Sequence, residues 1–173
     1  MGNQQKKYYF GLDPALNSSG WAIIYLEDGQ VHLESLGHIR SKKNASLQNK
    51  LCYIRNQLLQ IIPSIPFHFT VVKEYPFHRN HKATIKLHLV HGVILRIFAN
   101  FPVLEVLSSS MRKLIGRHGE EATKEDVKNG VLNILGVNYI DFKSDDQPDA
   151  AEHALCYLFQ QNLLPAIKLP HAS

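Results

Sequence analysis

The pattern of apolar and polar positions opens with Tyr8-Tyr9-Phe10-Gly11-Leu12, an apolar run rich in aromatic residues, as a central β-strand requires. Pro14 cannot donate to a sheet ladder, so the strand closes with Asp13 at its end. Gly20 to Tyr25 resumes β character, Asp28-Gly29 predicts a hairpin turn, and Val31 to Ile39 alternates with the period of a half-exposed strand. Three consecutive antiparallel strands are the natural reading. Ser46 reads as the N-cap of a helix in which Leu47, Leu51, Ile54, Leu58, Ile61 and Ile62 recur at helical spacing, stopped by Pro63. Phe67 to Val72 is another buried strand, and it repeats the first arrangement: Lys73-Glu74-Tyr75-Pro76 sets an acid at its end and a proline after it. Lys82 to Ala99 predicts a long, mostly apolar helix, Pro102 to Leu107 a further strand, and Thr123 the cap of a helix filled by Lys124 to Leu135. A last helix begins in Asp145-Asp146-Gln147-Pro148-Asp149-Ala150-Ala151-Glu152-His153, where acids and a proline mark a helix start.

Composition narrows the setting. At 173 residues and 45% hydrophobic, the chain suits one domain with a real core and is short for two. Residues 1–173 are therefore expected to form one domain, with its core from about 8 to 164. No apolar run approaches the length of a membrane span, and the first seven residues lack the apolar segment of a signal peptide, which points to the cytoplasm and no membrane partner. Cys52 and Cys156 each fall in an apolar helical pattern with no Cys or His at metal-finger spacing, and both are expected as buried thiols.

A formal charge of +4 with a pI near 9.0 permits a polyanionic partner without demanding one. Its distribution says more. Lys42-Lys43, His78-Arg79-Asn80-His81-Lys82 and Arg112-Lys113 with Arg117-His118 are basic clusters in predicted loops, whereas several acids sit at the ends of apolar elements. That combination suggests a polyanion handled by metal ions.

Asp13 and Glu74 end two strands that could lie side by side, and open sheets place ligands outside the carboxyl ends of their strands. Plainer readings stand beside this one. Asp13 also suits a turn-forming Asx residue, and Glu74 a surface acid on an edge strand paired with Lys73. Asp149 and Glu152, three apart, project from one face of a first helical turn, where acids also serve as a capping box. Pro148 suits the first helical position, which sets Asp149 inside the helix. His88 and His91 share a face but have no third ligand, so they read as structural or DNA-facing.

The order β-β-β-α-β-α-β-α-α, with acids ending the first and fourth strands and an acidic pair opening the last helix, is similar to the ribonuclease H-like nuclease fold. Within it, Gly11-Leu12-Asp13-Pro14 with Gly20-Trp21, Val72-Lys73-Glu74-Tyr75-Pro76-Phe77, Leu87 to Val93 and Pro148 to Leu155 resemble the motifs of RuvC-type Holliday junction resolvases. The resemblance runs from about Tyr8 to Leu164 and departs in three places: Glu152 stands where aspartate is commoner, His91 where arginine is frequent, and the basic segment has its own lysine spacing.

The resemblance implies an α/β fold with a mixed five-stranded sheet, three antiparallel strands then two parallel, flanked by helices. It implies a crossover junction endodeoxyribonuclease that cuts four-way DNA junctions as a homodimer through two magnesium ions per site, with manganese able to substitute. Asp13, Glu74, Asp149 and Glu152 would be the catalytic metal ligands, and His153 an auxiliary proton donor or water-positioning group. Phe77 would stack on unpaired bases, and Arg79, Lys82, Arg112, Lys113 and Lys124 would contact phosphates. For Phe77 a hydrophobic loop anchor is the competing role, and for His153 an exposed helix position. A flap or branched-DNA nuclease, a silent junction-binding protein and an RNA-processing relative are the alternatives. Neither a motor partner nor a preferred cleavage sequence follows from the residues.

Overall fold

The structure is a computed structural model and describes residues 6–66, 68–76, 81–107, 110, 114 and 122–164. Five strands, β1 (Lys7–Asp13), β2 (Ser18–Glu27), β3 (Gln30–Arg40), β4 (Phe69–Glu74) and β5 (Val103–Val106), form one sheet in the order β3-β2-β1-β4-β5. The first three pair antiparallel, and β4 and β5 join parallel to β1, which is the mixed sheet expected. Asp28 and Gly29, both at positive φ, make the tight β2–β3 turn that the Asp-Gly pair predicts. The longer helices among the described residues are α1 (Leu47–Ile61), α2 (His81–Ile97), α3 (Lys124–Leu135) and α4 (Asp146–Gln160). Ser46 caps α1 by accepting from the Asn49 amide, and Thr123 caps α3 in a reciprocal capping box with Asp126.

Because side chains alternate along a strand, the sheet carries a separate core on each face. Phe10, Leu12, Ile23, Phe69 and Val71 meet α1 and α2 through Ile54, Leu58, Val90, Ile94 and Phe98. Tyr9, Ala22, Ile24 and Val72 meet α3 and α4 through Val131, Ala150, Ala151, Ala154, Leu155 and Leu158. Helix α4 packs unusually close. A Cβ on Gly11 would lie 2.1 Å from the Ala150 carbonyl oxygen, and one on Gly20 1.7 Å from that of Asp146. Glycine at these two strand positions lets the first two turns of α4 rest on the sheet backbone.

Three expectations are corrected. Cys52 is exposed, because the buried stripe of α1 runs through Lys50, Ile54 and Leu58 and leaves Cys52 on the outer side; Cys156 is buried, and both thiols are free. Strand β4 lies between β1 and β5 rather than at an edge, and its Lys73 does not serve as a surface partner of Glu74. Its ammonium is fully buried on the opposite face, donating to His91 Nδ1 at 2.8 Å and to the Glu105 carboxylate. His91 is pushed down to about 4 by burial and by the Lys73 charge, so it accepts this bond as a neutral ring. Helix α4 starts at Asp146, two residues ahead of Pro148, which still occupies the first turn, where its missing N–H has no helical partner to lose. Among the described residues no helix is long and apolar enough to cross a membrane.

Candidate active site

Parallel pairing of β1 with β4 aligns Leu12 with Lys73, so the next residues, Asp13 and Glu74, leave the sheet side by side at its carboxyl edge. Helix α4 crosses that edge, and the Gly11 and Gly20 contacts fix its height above it. The result is a set of ligand atoms from Asp13, Glu74 and His153 that all lie within 4.8 Å of one another, arranged as three donors for a metal ion. Asp149 and Glu152 lie outside that set but within electrostatic reach of it.

His153 is the residue the sequence placed least well. It is buried at 2% exposure, not a surface histidine of an outer helix face. Its Nδ1 lies 2.6 Å from the Leu12 carbonyl oxygen; a carbonyl can accept but not donate, so Nδ1 carries the proton and Nε2 keeps its lone pair. That backbone bond orients the ring as a ligand-ready imidazole. Burial holds the ring below its ordinary pKa, opposed by the Leu12 bond and the charges of Glu74 and Asp149.

The carboxyls are crowded. Asp13 is pushed up to about 7 by burial and by the charges of Asp146 and Glu74. Asp149 rises to about 6 through burial and Asp13, and Glu152 to about 8 through burial, Asp149, Glu74 and Asp13. Burial and like charges act in the same direction here, and a bound cation is what reverses both.

Asp146 is a site-edge residue that the motifs did not single out. It accepts a short hydrogen bond from the Ser18 hydroxyl, tying the start of α4 to the start of β2, and its charge bears on Asp13. A signal for it exists, since Asp146, Asp149 and His153 recur at i, i+3 and i+7 and so form one helical stripe. Lys124 lies at the rim, ion-paired to Asp145 at 3.0 Å and close enough to Asp13 and Asp149 to favour their charged forms. Lys82 is exposed in the first turn of α2. Phe77, Arg79, Arg112 and Lys113 lie outside the described residues.

Comparison with known proteins gives a family from sequence and a matching fold from shape. The family model for crossover junction endodeoxyribonuclease RuvC matches residues 9–157. Crossover junction endodeoxyribonuclease RuvC of Ehrlichia canis (strain Jake) is 32% identical over 155 residues, covering 88% of this chain and 96% of that protein. The Ehrlichia ruminantium (strain Gardel) protein of the same name is 29% identical over 154 residues, covering 86% and 94%. Among solved structures, the T. thermophilus RuvC complex with a Holliday junction substrate superposes with a TM-score of 0.73 at 17% identity, covering 92% of this chain and 99% of that one. The fowlpox virus resolvase with substrate Holliday junction DNA gives a TM-score of 0.52 at 13% identity, covering 89% and 98%. With a matched segment that takes in the sheet, the acids at its carboxyl edge and most of the last helix, this chain belongs to the RuvC family of crossover junction endodeoxyribonucleases.

Proposed function

We propose that the protein is a metal-dependent, structure-selective DNA endonuclease that resolves four-way junctions by paired symmetric nicks, acting as a homodimer in the cytoplasm. The observation that carries this reading is the convergence of Asp13, Glu74 and His153 within 4.8 Å at the sheet edge, in a chain of the RuvC family.

The donor set suits divalent cations. Carboxylate oxygens dominate it, one imidazole nitrogen joins them, and the raised proton affinities of Asp13, Asp149 and Glu152 mark a concentration of negative charge that a cation relieves. Asp13, Glu74, Asp149 and Glu152 would hold two magnesium ions, with His153 Nε2 as a further donor and manganese as a substitute. Bound there, such ions would supply Lewis-acid charge for the hydrolysis of a phosphodiester. The chain's own part is orientation. The Gly11 contact fixes α4, the Leu12 carbonyl fixes the His153 tautomer, and the Lys124 charge offsets a small part of the burial and like charges that raise Asp13 and Asp149.

Labelled four-way junction, flap, linear duplex and RNA–DNA hybrid, incubated side by side with and without magnesium, test the proposal. Paired nicks confined to the junction are expected. Equal turnover of flaps would make it a general branch nuclease, hybrid cleavage would favour an RNA-processing role, and tight binding without cutting would leave a binding module.

The titration of the site gives a stability prediction. Asp13 and Glu152 hold protons in the folded state well above their ordinary values of 3.8 and 4.5. Between those values and about 7 to 8 the native state binds more protons than the unfolded one, so its stability falls as pH rises through that window. Below about pH 6.5 the depressed histidines His91 and His153 oppose this trend, so metal-free protein is expected to melt progressively lower from about pH 6.5 to about pH 8.5, and magnesium is expected to raise the melting temperature most at the upper end. A melting temperature that stays flat in EDTA, or a magnesium increment independent of pH, would contradict the crowding of these acids.

Two symmetric nicks need two sites related by a two-fold axis. Helix α2 exposes Ile85, Leu89 and Leu95 along one face, with Gly92 open between them, and this is the surface we assign to the second copy. Leu89→Glu is expected to shift the protein from dimer to monomer in sedimentation velocity while its melting curve stays cooperative. A variant that remains dimeric would place the interface elsewhere.

A further inference from the structure

The connection from β3 to α1 carries the basic pair Lys42-Lys43, which neither the fold nor the catalytic proposal uses. We propose that Arg40, Lys42 and Lys43 form a fixed phosphate-binding ridge beside the active site, holding the nucleic-acid backbone as it leaves the catalytic edge. The inference rests on the nuclease reading and adds a binding site to it.

Three observations carry it. The first is position. Arg40 pairs with Ser18 and Asp13 with Gly20, so Arg40 ends β3 at the same sheet edge on which Asp13 and Glu74 stand. Two strand steps separate β3 from β1, about 10 Å at ordinary sheet spacing, which is within one or two phosphates of the site.

The second is construction. Ser41, buried between the exposed cations, donates from its amide to the Asn17 carbonyl at 3.0 Å and from its hydroxyl to the Leu16 carbonyl at 2.8 Å. Lys50 reaches up from α1 with its side chain almost wholly buried, donating to Asn17 Oδ1 at 2.8 Å and to the Lys43 carbonyl at 2.9 Å. These bonds lock the ridge to the β1–β2 loop that begins immediately after Asp13. Both acceptors of Lys50 are neutral, so neither cancels its charge beneath Lys43.

The third is charge. No Asp or Glu occurs between Glu34 and Glu74, while the interval contains Arg40, Lys42, Lys43, Lys50, Arg55 and Lys73. Arg40, Lys42 and Lys43 are exposed and make no ion pair among the described residues, whereas Lys6, Lys73, Lys124, Lys128 and Lys143 all do. Exposed cations held on a rigid backbone and left without counter-charges are suited to phosphate oxygens, and their contribution to binding is released counterions.

The test is the salt dependence of four-way junction binding, measured with Asp13→Asn protein so that cleavage does not intervene. Lys42→Gln/Lys43→Gln in that background is expected to lower the slope of log affinity against log salt by about 0.9 per cation removed, close to two for the pair. Lys6→Gln/Lys7→Gln removes the same charge from the opposite end of β1 and is expected to leave the slope unchanged. Both pairs are exposed, so melting temperatures serve to verify that each variant is folded. A ridge variant with the slope of its parent, or a Lys6/Lys7 variant that loses as much, overturns the ridge and leaves the nuclease reading intact. No junction binding by protein with an intact ridge overturns the two together.

Discussion

Asp13→Asn is expected to abolish junction cleavage, with turnover down by at least a thousandfold, while junction binding persists. Asp13 is the one acid whose charge bears on both Asp149 and Glu152, and it belongs to the trio within 4.8 Å. Loss of the centre of a metal-binding set removes several kcal/mol of charge stabilisation, and about 4 kcal/mol corresponds to a factor of a thousand. The same change predicts an effect of opposite sign on folding. In EDTA near pH 8 the native protein suffers the repulsion of clustered carboxylates, so removing one charge is expected to raise the melting temperature above that of the parent. Magnesium, which should stabilise the parent, should then stabilise the variant much less. Single-turnover cleavage and parallel melting curves read both effects, and Asp149→Asn should follow the same pattern. Cleavage within tenfold of the parent would remove Asp13 from the centre of the site.

Gly11→Ala is expected to be, with Gly20→Ala, one of the two most damaging glycine substitutions among the described residues. Its Cβ would meet the Ala150 carbonyl oxygen at 2.1 Å and the Ala154 Cβ at 3.2 Å. A backbone oxygen cannot rotate away, so α4 must lift from β1, and overpacking of that kind costs about 3 kcal/mol or more. The lift carries His153 away from the Leu12 carbonyl and Asp149 away from Asp13. A displacement of about 1 Å is sufficient to lose on the order of a hundredfold in rate. Urea unfolding and junction cleavage would be measured together. A variant with unchanged stability would contradict the close approach of helix and sheet.

The two acids at strand ends were legible in the sequence because each is punctuated by a proline that stops its strand, and the parallel β1–β4 pairing then brings them together as anticipated. The order of elements was legible for a similar reason, since alternation, caps and the Asp-Gly turn are local signals. What escaped depends on long-range contact. His153 reads as an ordinary helix histidine until Gly11 and Ala150 draw its turn against β1, 141 residues from its partner Leu12. Lys73 reads as a surface lysine because its partners, His91 and Glu105, are 18 and 32 residues away. Cys52 follows the apolar periodicity of α1, but a lysine, Lys50, takes the buried position in that turn so that it can reach Asn17. The roles expected of Asp149, Glu152 and the basic residues rest on the family resemblance, and their neighbours in sequence alone do not supply them.

The unequal settings of the two cysteines make the protein easy to label. Burial and the neighbouring Glu152 charge push the Cys156 thiol up to about 12, so at neutral pH it is almost entirely unreactive toward maleimides. Cys52 is exposed on α1, across the sheet from α4. One dye per chain therefore attaches without mutagenesis, on the face away from the last helix, and in a dimer the pair of dyes forms a ruler between the two α1 helices. Energy transfer across that ruler would follow any rearrangement of the protomers as a junction is engaged, with the native cysteines left in place.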